Sequence, residues 1–191
     1  ALFRLSAIGD VVMMVPVVRA LARTFPQLDI TWITSPLAYE LLAGLSGVDF
    51  IVVDKPKSLS SWLKIRQQLQ GLSYDVLLAA QASLRAHLIY PLIQAPRKIG
   101  FDAVRSRDGH GMFVNERIPF AREHLMDGFM RFAKVLGVTD DALEWRLAID
   151  DEHYDWAQQQ LSIRPGPWLA INPKASKSER DWSIAGFVEV I

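Results

Sequence analysis

The residues of this sequence best suited to chemistry lie in two polar loops, each between an apolar segment and a helical pattern. The first loop, residues 6–10, reads SAIGD and follows the apolar segment 1–5. A strand that enters a helix through such a turn is typical of nucleotide-fold domains. Dinucleotide-binding loops are glycine-rich, whereas here the single Gly9 precedes the carboxylate of Asp10, which would repel phosphate. Asp10 therefore suits a base facing a neutral hydroxyl. Capping of the following helix is the alternative that the spacing leaves open, and one residue can do both.

The second loop, residues 173–181, reads PKASKSERD and carries three cations and two serines before a helical pattern. Free N–H groups at a helix N-terminus bind anions, and nearby Lys or Arg side chains add charge-assisted hydrogen bonds. The loop therefore predicts a diphosphate site, although it lacks the glycines of a Walker A loop. A solvated charged turn is the alternative, and it is the more common fate of such a loop taken alone.

Strand and helix patterns alternate through the first half of the chain. Apolar periodicity, together with Gly and Pro punctuation, gives the element boundaries. This alternation predicts an α/β fold with a parallel sheet, right-handed crossovers and helices on both faces. The predicted strands are 1–5, 28–34, 48–53, 74–80 and 98–101, and the predicted helices are 11–23, 36–45, 58–72 and 83–93.

The alternation of strand and helix patterns ends at residues 102–121. This segment is polar and basic, and it predicts a long loop with a function. Beyond it we expect a helix over 123–136, a short strand over 145–149 and a helix over 151–161. The sequence RPGP at 164–167 then indicates a hinge.

After this hinge, the apolar segment 168–172 and the pattern over 182–191 repeat the strand–loop–helix opening of the chain. We therefore predict a first Rossmann-like domain with a linker helix over 1–163 and the start of a second such domain over 164–191.

Composition narrows the function classes. The 191 residues carry 21 Lys and Arg against 21 Asp and Glu, so no overall charge favours nucleic acid. The absence of cysteine excludes disulfides, thiol catalysis and Cys-ligated zinc. The longest apolar run, residues 11–18, contains proline and is too short for a membrane span, and it does not fit a signal peptide. The histidines show no metal-ligand spacing, so no metal is expected.

Four motifs together resemble one known family, the heptosyltransferases of glycosyltransferase family nine, which build the inner core of lipopolysaccharide. The most distinctive is RLSAIGDVV at 4–12, followed by Pro16 and by Pro26 before a strand that carries Trp32. The others are QASLR at 81–85, similar to a Gln-Gly-x-x-Lys-Ser stretch of the family, RKIGF at 97–101 and ERDW at 179–182.

The resemblance implies a GT-B enzyme, in which two Rossmann-like domains face a cleft. Such an enzyme is inverting and metal-independent, needs no cofactor, and transfers heptose from ADP-heptose to a sugar hydroxyl of the growing lipopolysaccharide core. The implied location is the cytoplasm, at the cytoplasmic face of the inner membrane if the enzyme makes peripheral contact with lipid.

The resemblance also assigns roles to residues. Asp10 matches the general base, and Ser176, Lys177 and Arg180 match groups that approach the donor diphosphate. Arg180 stands where the family often has lysine; it keeps the charge but changes the geometry. Most of the donor site would lie beyond Ile191, so the chain alone is expected to be inactive.

On the acceptor side, the matching residues are Gly9, Gln81, Arg85, Arg105 and His124. Cations suit an acceptor that carries carboxylates and phosphates, and Arg107 in the same long loop is a weaker candidate. Plain structural roles remain open: Arg85 as a solvated helix residue and His124 as a helix start. Ala82 replaces the family's usual glycine. The competing class is a non-catalytic α/β module that binds an anion at 174–180 and uses Asp10 only as a cap.

Overall fold

The sheet places the loop 6–10 at the carboxyl ends of its strands. The structure, a computed structural model, describes residues 1–56, 58–163, 166–174 and 178–190, and only the backbone of Arg180. Its six strands are all parallel and lie in the order β3-β2-β1-β4-β5-β6. They are β1 Leu2–Phe3, β2 Ile30–Thr34, β3 Val48–Val52, β4 Val76–Ala79, β5 Arg97–Gly100 and β6 Glu116–Arg117.

Helices cover both faces of this sheet, as the alternating pattern predicts. The α/β fold class is confirmed. In the described residues the helices are α1 Ile8–Thr24, α2 Pro36–Leu42, α3 Leu59–Leu69, α4 Leu84–Ile89, α5 Leu125–Lys134, α6 Asp151–Ile163 and α7 Ile184–Val190.

Register decides which helices pack on which face. Leu2 lies opposite Trp32, and both point to the core formed with α1, α2 and α5. The next pair, Phe3 and Ile33, points to the other core, formed with α3 and α4. Strand side chains alternate between faces with a period of two, so neighbouring residues of a fully buried strand supply two separate cores.

The order of strands creates a switch point between β1 and β4, because the chain builds outward to β3 and then returns to the middle of the sheet. Loops that leave adjacent strands at such a point diverge to opposite faces and open a crevice at the carboxyl ends of the strands. The loop 6–10 after β1 and the segment 80–83 after β4 meet at this point.

Helix α3 lies within the predicted range 58–72. Ser58 caps it, and the Ser58 and Ser61 side chains form a reciprocal capping box. Of its apolar residues, Ile65 and Leu69 are buried, whereas Leu59 and Leu63 are exposed. The sheet therefore covers only the stripe centred on Ile65 and Leu69.

The predicted loop 102–121 contains a strand that the sequence analysis missed. Residues of β6 pair with β5: the Ile118 N–H donates to the Gly100 carbonyl at 2.9 Å and the Asn115 N–H to the Lys98 carbonyl at 3.1 Å. A two-residue strand with the sequence Glu-Arg has no apolar alternation, so only the neighbouring strand defines it.

The strand expected over 145–149 does not form. The Trp145 indole N–H donates to the Val12 carbonyl at 3.1 Å, and Arg146 has φ of 33°. The segment is thus held against α1 instead of adding to the sheet, and the left-handed residue interrupts any extended run.

The described chain divides into two units, Ala1–Ile149 and Asp150–Ile191. In the second unit, α6 is close to its predicted range, but residues 168–172 form no strand. Trp168, expected in a buried strand, is 54% exposed. A β-strand needs a neighbouring strand for its backbone hydrogen bonds, and the described part of this unit contains no strand that could pair with it. The domain boundary after residue 163 and the second Rossmann-like domain stay predictions.

Candidate active site at the switch point

Asp10 lies in the first turn of α1 but does not cap it. The N-cap position is Ala7, without a side-chain cap hydrogen bond, and Asp10 is the third helical residue. The alternative that Asp10 is the N-cap is therefore wrong, because the helix begins earlier than the apolar spacing from Val11 indicated. A carboxylate in a first turn is still favoured by the positive end of the helix dipole.

Arg4 holds the Asp10 carboxylate in place. The Arg4 guanidinium donates through Nη2 to Asp10 Oδ2 and through Nη1 to the Ala80 carbonyl at the end of β4. Its side chain is 9% exposed, and its Cζ lies 5.5 Å from the centroid of the Phe129 ring. One arginine thus bridges the two strands of the switch point and fixes the orientation of the carboxylate.

The other carboxylate oxygen of Asp10 is open. Among the described residues no group donates a hydrogen bond to Oδ1, and the side chain is 31% exposed. Beside it, Gly9 is exposed, and a Cβ built at that position would have no neighbour within 4 Å. The loop therefore presents a half-satisfied carboxylate next to open space, which is what a base needs to reach a substrate proton.

Burial affects Arg4 as well as its neighbour Tyr90. Burial lowers the pKa of the Arg4 guanidinium, while the charge of Asp10 raises it. The Tyr90 hydroxyl is fully buried, which raises its pKa well above the ordinary value of a tyrosine. Tyr90 thus stays a neutral donor, and its hydroxyl donates to the Gln81 carbonyl at 2.6 Å.

Gln81 joins the two strands from the other side. Its Oε1 accepts from the Leu5 N–H at 2.8 Å, and its Nε2 donates to Ser83 Oγ at 3.3 Å. Both ends of the amide are therefore used inside the protein. This gives Gln81 a structural role at the switch point, and its contact with an acceptor stays a prediction.

A groove with both apolar and polar lining opens beside the loop at the carboxyl ends of β1, β2 and β3. Its volume is about 790 Å³. Hydroxyl groups dominate its polar lining, which suits the hydrogen-bonding of a sugar. The polar residues that line it are Ser6, Ser35, Asp54, Lys55, Ser58 and Ser61, and the apolar ones include Ile8, Pro36 and Leu37.

The predicted acceptor cations differ in their surroundings. Arg85 is exposed on α4, and Arg107 is exposed in the loop 102–121; within the described ranges, neither side chain forms an ion pair or hydrogen bond. Their guanidinium groups are thus available to an anionic ligand.

Arg105 is instead built into a network. Its Nε pairs with Asp102 Oδ2, and its Nη2 lies 3.7 Å from Glu123 Oε1, which also pairs with Arg131. A side chain at Gly128 would collide with the Arg105 guanidinium, so the glycine makes room for it. The structure therefore shows a scaffold role for Arg105, and its acceptor contact is untested.

His124 is the N-cap of α5. Its Nδ1 accepts from the Met126 N–H at 3.2 Å, and the residue is exposed. The structural alternative for this histidine therefore applies. The exposed ring keeps Nε2 on the outside, so the capping role and the predicted acceptor contact use different atoms.

Two of the predicted donor-side residues, Ser176 and Lys177, lie outside the described residues. The backbone of Arg180 belongs to a short 3₁₀ turn, Ser178–Arg180, while its side chain is not described. The diphosphate site therefore stays a prediction.

Arg4 and the histidine pair His87 and His110 are functional or structural residues whose roles no sequence motif indicated. Arg4 could have been found, because a charge inside an apolar strand must have a partner when the strand is buried. The histidine pair is 23 residues apart and left no local signal.

In the residues that the structure covers, no three His, Cys, Asp or Glu side chains are grouped so that they could hold a metal ion. None of the described helices combines the length and apolar character needed to cross a membrane. The metal-independent reaction remains a prediction.

Comparison with known proteins places this geometry in a family. The family model described as "Glycosyltransferase family 9 (heptosyltransferase)" matches residues 62–191. The chain is 38% identical over 191 residues to the lipopolysaccharide core heptosyltransferase OpsX of Haemophilus influenzae, covering 99% of this chain and 54% of that protein.

Solved structures share the fold. A glycosyl transferase of family 9 from Veillonella parvula superposes with a TM-score of 0.74 at 21% identity, covering 99% of this chain and 57% of that one. The Escherichia coli heptosyltransferase WaaC, solved with ADP-2-deoxy-2-fluoro heptose, gives a TM-score of 0.68 at 20% identity, covering 99% and 63%.

The chain spans about half the length of the curated relative that it matches. The family match itself covers well over half of this chain and includes the segment 81–85, the strand β5 and the loop 102–121. The chain belongs to glycosyltransferase family 9, the heptosyltransferases.

Proposed function

We propose that this chain is the acceptor-binding part of an inverting glycosyltransferase that transfers heptose from ADP-heptose to a sugar hydroxyl of the lipopolysaccharide inner core. Membership of family 9 supports sugar transfer. The acceptor class is supported by the relative named a lipopolysaccharide core heptosyltransferase, and the donor by the ADP-heptose analogue in the WaaC complex.

The observation that carries this proposal is the half-satisfied carboxylate of Asp10. Arg4 occupies Oδ2 and fixes the plane of the group, while Oδ1 is directed to no donor in the part of the chain that the structure describes. The Asp10 side chain is 31% exposed, so a ligand hydroxyl can reach the carboxylate and donate to Oδ1. Asp10 can therefore accept one more hydrogen bond, from a ligand.

In the proposed step, Oδ1 of Asp10 takes the proton of the acceptor hydroxyl as that oxygen attacks the anomeric carbon of the donor. The new C–O bond forms on the face opposite the breaking bond to the diphosphate, so the configuration at this carbon inverts. ADP leaves with the bonding electron pair. Arg4 keeps the carboxylate oriented before the reaction, because its guanidinium donates a hydrogen bond to Oδ2.

The groove lined by serines beside the loop 6–10 would accept the neutral part of the acceptor, and Gly9 would allow it to approach the backbone. Arg85 would face the anionic groups of the acceptor. Arg105 and His124 would contact the acceptor in addition to their structural roles in the ion-pair network and at the start of α5. The donor diphosphate would bind Ser176, Lys177 and Arg180. No cofactor enters the proposal, and the chain alone, which spans about half of its curated relative, should not turn over.

The decisive experiment substitutes Asp10→Asn in the full-length protein and measures heptose transfer from ADP-heptose to an inner-core acceptor. We expect kcat to fall by a factor of about a hundred to ten thousand, the usual contribution of a general base. Donor affinity and the unfolding midpoint should change little, because Asn keeps the shape of the side chain and one acceptor for Arg4.

The matched control is Asp29→Asn, which should leave transfer unchanged. Asp29 precedes β2 and therefore lies at the amino ends of the strands, away from Asp10. If Asp10→Asn lowers stability but spares kcat, Asp10 is structural and the competing class, a non-catalytic anion-binding module, is favoured. If transfer depends on Asp10 but fails with inner-core acceptors, a panel of sugar acceptors identifies another member of the same transfer class.

The proposed location is the cytoplasm, with peripheral contact at the inner membrane through the lipid part of the acceptor. Co-sedimentation of the full-length protein with vesicles that carry the acceptor, compared with vesicles that lack it, tests this. Equal binding to both kinds of vesicle, or to neither, contradicts the proposed route of contact.

A further inference from the structure

Two histidines that the proposed reaction does not use are fully buried and in direct contact. His87 lies on α4, and His110 begins a 3₁₀ turn, His110–Met112, inside the loop 102–121. Their side chains meet at 2.9 Å, from His110 Nδ1 to His87 Nε2. The rings also pack against Phe113 and Phe101, so water has no access to the pair.

The hydrogen bonds at the outer ends of the pair fix the proton positions. His110 Nε2 lies 3.1 Å from the Phe101 N–H and must accept, because a backbone amide can only donate. His87 Nδ1 lies 3.1 Å from the Asp108 carbonyl and must donate, because a carbonyl can only accept. Each ring therefore carries its single proton on Nδ1, and all four ring nitrogens are satisfied.

This arrangement requires both rings to be neutral. A second proton on either ring would place two N–H groups face to face, or an N–H against the Phe101 amide. Burial lowers the pKa of His87, and burial together with the charges of His87 and Arg117 lowers the pKa of His110 to about 4. The other groups that face the pair are Asp108 and the buried neutral Tyr90. The carbonyl and the carboxylate of Asp108 both act to raise the pKa of His87, but burial is the larger cause and the pKa is lowered.

The pair ties the long loop to the strand end and to the helix start. A side chain at Gly100 would collide with the His110 ring, which shows how closely the turn packs on β5. Asp108 Oδ2 accepts from the Leu84 N–H at 3.2 Å, at the first residue of α4. The two exposed arginines are adjacent to these ties: Arg85 follows Leu84, and the Arg107 carbonyl accepts from the His110 N–H at 2.9 Å.

We propose that His87 and His110 are positioning residues of the transferase: as a neutral imidazole pair, they clamp the loop 102–121 onto α4 and thereby hold Arg85 and Arg107 in place for the anionic groups of the acceptor. This inference rests on the proposed function, since it concerns the same acceptor side. The two rings touch no substrate. Their contribution is to hold the backbone that carries the two exposed arginine side chains.

The first test needs no substitution. In the full-length protein labelled with ¹⁵N-histidine, the ring nitrogens of His87 and His110 should report neutral rings protonated on Nδ1 at pH 7.5. His110 should keep that state down to about pH 5, and His87 should titrate below the ordinary histidine pKa, whereas exposed His153 titrates above it. A proton on Nε2 of either ring, or a titration of either ring near the ordinary histidine pKa, overturns the clamp.

The second test separates positioning from simple stability by kinetics. His110→Leu removes both hydrogen bonds, whereas His110→Asn keeps an N–H donor toward His87. For His110→Leu we expect the acceptor KM to rise about tenfold, the value of one charge-assisted contact, with kcat and the donor KM nearly unchanged. His110→Asn should recover much of the loss, and the control His153→Asn should behave as the unsubstituted protein.

A fall in kcat without a rise in the acceptor KM, or equal damage by His110→Asn and His110→Leu, contradicts the inference. If His110→Leu does not fold, the ring-nitrogen measurement decides alone. Failure of the proposed function is visible separately, as transfer that no longer depends on Asp10. Ordinary titration of the buried rings in a protein that still depends on Asp10 rejects the clamp and leaves the proposed function standing.

Discussion

Two aspartate–arginine pairs stand at the carboxyl ends of strands in the same sheet, and they differ in what they leave unsatisfied. After β1, Asp10 gives Oδ2 to Arg4 and leaves Oδ1 without a donor in the described chain. After β5, Asp102 uses both oxygens: Oδ1 accepts from the N–H groups of Val104 and Arg105 at 2.9 and 3.0 Å, and Oδ2 accepts from Arg105 Nε.

The two aspartate side chains also differ in exposure: Asp10 is 31% exposed. The Asp102 side chain is 5% exposed and saturated with donors. Burial raises its pKa, but the hydrogen bonds from Arg105 and Val104 outweigh burial and bring the pKa below its ordinary value. The two aspartates share residue type and a place after a strand end, and they differ in the number of acceptor oxygens left without a protein donor. That difference is the basis for proposing Asp10, and not Asp102, as the base.

The largest effect is expected from the arginine of the first pair. Arg4→Met removes the hydrogen-bond donors of Asp10 Oδ2 and of the Ala80 carbonyl, and it leaves a partly buried carboxylate and a fully buried carbonyl without them. Breaking a buried ion pair from one side costs about 3–5 kcal/mol, so the free energy of unfolding in urea should fall by that order. Transfer should fall as well, since the base loses its orientation.

The control for this substitution is Arg23→Met, whose ion pairs with Asp140 and Glu144 lie on the surface. Its effect on stability should be much smaller. If the two substitutions lowered the free energy of unfolding equally, the ion pair of Arg4 with Asp10 would contribute no more to stability than a surface ion pair.

Substitution in the second pair, Asp102 and Arg105, should lower the stability of the protein. Asp102→Asn keeps an acceptor for the N–H groups of Val104 and Arg105 but removes the charge opposite the Arg105 guanidinium. We expect the unfolding free energy to drop by about 2 kcal/mol, the usual loss for a partly buried charge-assisted hydrogen bond. A double-mutant cycle with Arg105→Gln measures the coupling, and zero coupling would contradict the scaffold role.

The scaffold side should also lose stability at mildly acidic pH. His110 has a folded pKa of about 4, lowered first by burial, so the unfolded chain binds a proton that the folded protein does not. Its contribution is complete above about pH 6.5 and is lost as pH falls, at about 1.4 kcal/mol per pH unit for one histidine. His87 acts in the same direction.

Urea unfolding between pH 8 and pH 4.5 measures this slope. In His110→Asn the slope between pH 6.5 and 5 should be smaller, because that titrating group is absent. An identical slope in both proteins would show that the buried pair does not titrate as the structure requires.

The smallest effect should come from the exposed pair at the sheet edge. Arg97 and Glu116 are bidentate, at 2.6 and 2.8 Å, and the hydrogen bond between them raises the pKa of Arg97 and lowers that of Glu116. Both are solvent-exposed, so Arg97→Gln should leave the thermal midpoint unchanged at physiological salt. A clear shift would mean that β6 depends on this pair for its place in the sheet.

Much of the first unit followed from apolar periodicity alone. Five of the six strands and the helices on both faces were predicted, because buried parallel strands and amphipathic helices leave strong patterns in the sequence. The wrong predictions share a cause, because a strand forms only where a neighbouring strand can pair with it. This applies to β6 and to the strands that did not form at 145–149 and 168–172. Pairing partners are distant in sequence and leave no local periodicity.

The site divides in the same way. The position of Asp10 after a buried strand could be predicted, and so could the candidate cations Arg85 and Arg107. The role of Arg4 was missed, although a charge in a buried strand is a readable signal. The different surroundings of Arg85 and Arg105 could not be predicted, because Asp102, Glu123 and Gly128 meet Arg105 only in the folded chain.

By itself, the sequence determined the α/β class, the strand-to-helix loop and the carboxylate placed on it, since hydrophobic spacing and turn chemistry act over a few residues. Tertiary structure alone decided which carboxylate keeps an acceptor oxygen without a protein donor, which arginine is anchored and which histidines meet as a buried hydrogen-bonded pair. The physical reason is that hydrogen-bond saturation depends on groups brought within about 3 Å across strands and loops, and chain spacing carries no record of that distance.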